Sequence, residues 1–175
     1  MKRIWPILMM LLMFSCKEQK EGEKIVTEPD PTIFNGVYMD FREMDEFEGY
    51  KKVTDTTVYV EGNLDPAFRL THLKNERHNL VLFSKITVNE DLQEMKKVVD
   101  TLIISGMAEE DFISIGYCSL NGKYDQEIVS IVKSTPQRNI EKVVKAWRAN
   151  LETEELEEIT TPDSISCLNE FYQGN

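Results

Sequence analysis

The chain has 175 residues, with 20 Lys+Arg against 31 Asp+Glu, a formal net charge of -11 and 41% hydrophobic residues, a composition that fits one ordinary globular domain. A polytopic membrane protein needs several apolar runs of ~20 residues, and a nucleic-acid binder of the usual kind needs a basic patch to neutralise phosphates. The sequence offers neither, so no nucleic-acid partner is expected. Chain order begins with Met-Lys-Arg and then the uncharged stretch IWPILMMLLMF, Ile4 to Phe14. A basic n-region ahead of an apolar h-region is the layout of a secretory signal peptide, here residues 1–15. As a helix the stretch would reach only about 17 Å at ~1.5 Å per residue, well short of the ~30 Å hydrocarbon core, so it does not read as a spanning segment.

The h-region ends Leu12-Met13-Phe14-Ser15-Cys16. A small residue directly before a cysteine, straight after the apolar run, resembles the lipobox of bacterial lipoproteins. The resemblance implies that the Cys16 thiol carries diacylglycerol, that the signal is cut before Cys16, and that the new amino group takes a further acyl chain such as palmitate. Met13 and Phe14 depart from the strict pattern in a way that is similar to lipoproteins of the Bacteroidota, and Lys17-Glu18-Gln19-Lys20-Glu21 resembles the charged stretch that sends some of these to the cell surface. The alternative is a plain cysteine beside an ordinary cleavage site. Two or more acyl chains make a stable anchor. The expected location is therefore the outer membrane, facing the periplasm or the cell surface. Loss of residues 1–15 removes Lys2 and Arg3, leaving -13 in place of -11. Anionic surfaces repel such a domain, which confines membrane contact to the lipid.

Residues 16–32 read as the lipidated cysteine and a flexible tether, since KEQKEGEKIVTEPDPT is charged and broken by Pro29 and Pro31. The alternative there is a first edge strand through Ile25 and Val26. Residues 33–172 then form one domain. Its β-branched and aromatic runs predict strands over 56–61, 79–87, 98–104, 112–120 and 127–133. Asn121-Gly122 between the last two predicts a tight turn with antiparallel pairing, and both strands are apolar on both faces, so this hairpin should be central and covered on each side. Helix is expected at 89–97, with Asn89 as N-cap and lysines at the far end. Over 134–151, Ile140, Val143, Val144, Trp147 and Leu151 fall at helical spacing. A short helix at 136–143 followed by a strand and hairpin competes there with one long helix, and the former is preferred. Residues 98–172, with ISIGYCSLNGKYDQEIVSIVK, the turn around Leu151 to Glu154 and Cys167-Leu168-Asn169-Glu170, resemble uncharacterised envelope lipoproteins of the Bacteroidota, a resemblance that implies no activity.

Cys118 and Cys167 are an even pair in a chain expected outside the cytosol, which favours a disulfide over two separate buried thiols. His72 and His78 lie six apart without cysteine companions, a spacing that fits no zinc pattern, and read as surface-loop residues. The acid runs 40–48 and 152–158 lack the alternating oxygen ligands and central glycine of a calcium loop. No metal and no cofactor is expected. Gly-rich phosphate loops, nucleophile elbows and His-Glu-x-x-His are absent, so no catalytic residue is assigned. The fold expected is α+β, a single antiparallel sheet domain with one or two short helices. The function expected is a lipid-anchored, non-catalytic binding or scaffolding module for an envelope protein or glycan. A small hydrolase using a carboxylate pair, or an inhibitor or immunity lipoprotein, are the competing readings.

Overall fold

The chain from Ile25 to Gln173 is described by a computed structural model. The expected signal segment, Cys16 and the residues up to Lys24 lie outside the described residues. Fourteen strands in three antiparallel sheets make up the described part, and the helical content is three 3-10 turns at Phe41–Glu43, Asp45–Phe47 and Pro162–Ser164. The antiparallel single-domain architecture expected from the strand patterns is thus the one observed.

The first sheet is a meander of four strands, β3 (Lys51–Tyr59), β4 (Pro66–Lys74), β5 (Asn79–Val88) and β6 (Glu94–Ser105). Two short strands, β1 (Val26–Glu28) and β2 (Val37–Tyr38), pair with different stretches of β6. Within the stretch 16–32 expected as a tether, Val26–Glu28 is instead a paired strand, the alternative offered by Ile25 and Val26. Val26 pairs with Ser105, and the Thr101 hydroxyl accepts from the Asp30 amide at 2.7 Å. The two β-branched residues Ile25 and Val26 find apolar and backbone partners along β6 that their charged neighbours do not need.

The second sheet has the order β13 (Glu155–Glu158), β12 (Val143–Asn150), β10 (Ile128–Lys133), β7 (Asp111–Ile115). The third runs β11 (Asn139–Ile140), β14 (Ile165–Leu168), β8 (Cys118–Leu120), β9 (Lys123–Asp125). The second sheet lies between the other two. Val129 and Ile131 of β10 join Leu70, Val81 and Phe83 of the first sheet in the largest core cluster. Ile128 and Val132 point the other way, into a cluster with Ile140, Ile165 and the cysteines of the third. A strand buried on both faces needs the continuous apolar run that β10 has. On the far side of the first sheet, Ile33, Tyr38 and Phe47 cover Leu73, Leu80 and Leu82.

The stretch 112–120, expected as one strand, is two. Gly116 breaks it at φ +74, and a Cβ there would lie 2.9 Å from the Thr56 side chain, so glycine is required on both counts. Beyond the break the chain leaves the second sheet for the third, turns at Asn121-Gly122 with both φ positive, and returns to the second sheet as β10. The two predicted helices are not formed. Asn89 does punctuate the chain, but its Oδ1 accepts from the amides of Asp91 and Gln93 in the β5–β6 turn, a bonding pattern that serves turns as well as caps. Residues 136–143 hold β11, loops and the first residue of β12, whereas the strand and hairpin that follow, β12 and β13, are present as expected.

Candidate functional site

A groove of about 820 Å³ opens where three segments meet: the β3–β4 turn, the β8–β9 hairpin and the middle of β12. Two tyrosine rings stand on it, Tyr59 at 43% and Tyr124 at 60% exposure. The Tyr124 ring is held by its hydroxyl, and Tyr59 is held at its backbone. The Tyr124 hydroxyl donates to the Gly116 carbonyl at 2.8 Å, and the Gln126 side-chain amide donates to the Tyr59 carbonyl at 3.0 Å. The kink at Gly116 turns that carbonyl toward the hairpin, so the strand break and the fixed ring have one cause.

Arg148 of β12 faces two carboxylates in the same groove. It is ion-paired with Asp125, and its Nε lies 3.8 Å from Glu127. Glu127 is pushed above the usual carboxylate range by burial and by the neighbouring Asp125 charge, with Arg148 pulling the other way. Asn63, Asn121 and Gln126 add amide donors and acceptors around this array. Exposed rings beside planar polar side chains can stack on an apolar face and bond a polar edge at once.

Cys118 and Cys167 are bonded to each other, as paired residues of β8 and β14 with Cα atoms 3.9 Å apart, inside the ~7 Å that a bridge allows. Both are buried, and the Ser130 hydroxyl lies 3.6 Å from Cys118 Sγ. The bridge is a staple within the core. His72 corrects the surface-loop reading, because it sits in β4 at 4% exposure with Nε2 2.9 Å from Asn79 Oδ1. His78, in the following turn, is half-buried beside the Tyr50 ring. Of the acid runs, 40–48 forms two 3-10 turns that bury Phe47 and leave their acids toward solvent, and the Arg42 guanidinium holds the Asp40 carboxyl well below its usual range. Residues 152–158 form the β12–β13 turn and the edge strand. Among the described residues no three His, Cys, Asp or Glu side chains are grouped to hold a metal ion, and no helix is long and apolar enough to cross a membrane.

Comparison with known protein families, with curated proteins and with solved structures finds no match to the chain.

Proposed function

We propose that the chain is a lipoprotein anchored in the outer membrane through Cys16, and that its folded domain is a non-catalytic module binding an envelope glycan in the groove between Tyr59 and Tyr124. The observation that carries the binding reading is the Tyr124 ring, open to solvent on its face yet tied by its hydroxyl to Gly116. A platform fixed before binding loses little side-chain entropy when a ligand stacks on it. The mixture of carboxylates, amides and one guanidinium beside it suits a neutral, hydroxyl-rich ligand better than a second acidic surface. The anchor rests on the n-region, the h-region and Ser15-Cys16.

Two measurements test the two halves separately. Cys16→Ala is expected to move the protein from the membrane to the soluble fraction and to remove metabolic labelling with a palmitate analogue; an unlabelled wild type would sink the anchor. For the groove, purified peptidoglycan and soluble N-acetylated oligosaccharides are the probes. Tyr124→Ala is expected to weaken binding about tenfold, or ~1.4 kcal/mol, and wild type that binds neither probe rejects the glycan reading.

One observation favours a second reading. Glu127, with its raised pKa next to Asp125, is the kind of pair a glycoside hydrolase uses as acid and base. Shortened products in the same oligosaccharide assay, lost in Glu127→Gln, would move the proposal from binding to hydrolysis.

A further inference from the structure

A second cleft lies at the opposite kind of surface, where the first sheet and β7 splay apart. It holds about 500 Å³, a volume typical of small-ligand sites. Its bed is apolar, built from Ile104, Met107, Phe112, Ile113 and Phe171, and its rim carries Lys74 and Arg77. Among the described residues neither cation makes an ion pair, although the chain as a whole has a net charge of -11. Of the two acids that line the cleft, Asp111 is already paired with Lys133 at 3.0 Å, which leaves Glu109.

His72 also lines this cleft, and its hydrogen bonding is incomplete. Nε2 faces Asn79 Oδ1 at 2.9 Å, while the Asn79 amide nitrogen faces Met107 Sδ at 3.4 Å. That arrangement makes Nε2 the donor and leaves the lone pair on Nδ1, which is buried without a partner. A buried acceptor left unmade costs free energy that a donor arriving with a ligand would recover.

We infer that this cleft binds a single-chain amphiphile, a hydroxylated alkyl carboxylate, with its chain on the apolar bed, its carboxylate at Lys74 and Arg77, and its hydroxyl donating to His72 Nδ1 after a shift of the ring opens that buried atom to the cleft. Each of the three parts of the ligand answers one part of the cleft. Lys74 and His72 are two residues apart on one strand and so share a face, which keeps head and hydroxyl close along the ligand. The inference is independent of the glycan groove, which shares no residue with the cleft.

The test titrates the full chain carrying Cys16→Ala, which keeps acyl chains out of the assay, with 3-hydroxydecanoate and with decanoate below their micelle concentrations. The hydroxy acid is expected to bind about tenfold more tightly than decanoate. In wild type it should shift the ¹⁵N resonance of His72 Nδ1, and decanoate should not. The double charge reversal Lys74→Glu with Arg77→Glu, at the rim, should weaken both ligands at least tenfold. His72→Leu should abolish the preference between them, and the wild-type ¹⁵N measurement decides the point if that variant fails to fold. Absence of saturable binding, equal affinity for the two acids, or charge reversal without effect each overturns the inference.

Discussion

Trp147 is 3% exposed, and its ring lies in the core between the first and second sheets with Leu102, Val129 and Ala149. The Lys145 ammonium stands over the ring, 5.9 Å from its centroid, where the π face attracts a cation. A large aromatic in this position contributes area to both sheets at once. Trp147→Ala should cost about 3–5 kcal/mol, read as a fall in the denaturant midpoint followed by circular dichroism, since the fluorophore is gone. An unchanged midpoint would place the ring outside the core. That Trp147 is a core residue was legible from its apolar neighbours in sequence. His72 was not, because a lone histidine among Thr71, Lys74, Asn75 and Glu76 reads as surface, and only the pairing of β4 with β3 and β5 shows that its face is the inner one.

At the scale of elements, the third sheet is the weakest on its own terms. Its strands are two to four residues long, so few hydrogen bonds hold it, and apart from the β8–β9 hairpin its pairings join chain segments far apart and close long loops. The Cys118–Cys167 bridge, spanning a sequence separation of 49, offsets that entropy. Replacing both cysteines by alanine should lower stability by about 4 kcal/mol, and amide exchange should accelerate in 118–125 and 165–168 well before it does in β4 and β5. Uniform acceleration would mean that the three sheets unfold as one unit. The same lengths explain which strands could be read in advance. β5, β6 and β10 carry runs long enough for a pattern, whereas β11 and β9 hold too few residues to show any period. The helical spacing over 140–151 has its own origin, a register shift opposite Ile131 and Val132 that skips Val144 in the pairing. Val143 then faces the third sheet while Val144 and Trp147 face the first, and a strand with this bulge imitates the i, i+3, i+4 spacing of a helix. The groove could not be read for a different reason. Its residues come from 59–63, 120–127 and 148, and nothing local marks them as neighbours.

Three stacked sheets with two separate interiors give the whole molecule a pH response that depends on which groups are buried between them. His72 is the buried imidazole. Burial lowers its pKa from 6.5, the Asn79 bond opposing, because the charged form would lose its hydration. In the unfolded chain the same imidazole takes up a proton near pH 6.5, so below that value the unfolded state binds more protons than the folded one. Stability from this group is therefore present above about pH 6.5 and lost as pH falls toward the lower folded pKa. Glu127 and Glu170 act with the opposite sign, since burial raises both from 4.5 and their contribution is lost as pH rises through the folded values; both are half-exposed and weigh less. Asp55 belongs to a lower window again. Burial pushes it up, the Arg69 and Lys52 bonds outweigh that, and its stabilisation disappears only as pH falls below 3.8. The denaturant midpoint of the wild type should accordingly decline on acidification from about pH 7 to about pH 5, ahead of the carboxylate transitions. His72→Gln keeps a polar partner for Asn79 without a titrating ring, and its midpoint should stay flat over that interval while both proteins lose stability together at lower pH. A variant that keeps the wild-type slope would show that the imidazole titrates alike in the folded and unfolded chain, as it would if solvent reached it through the cleft that His72 lines.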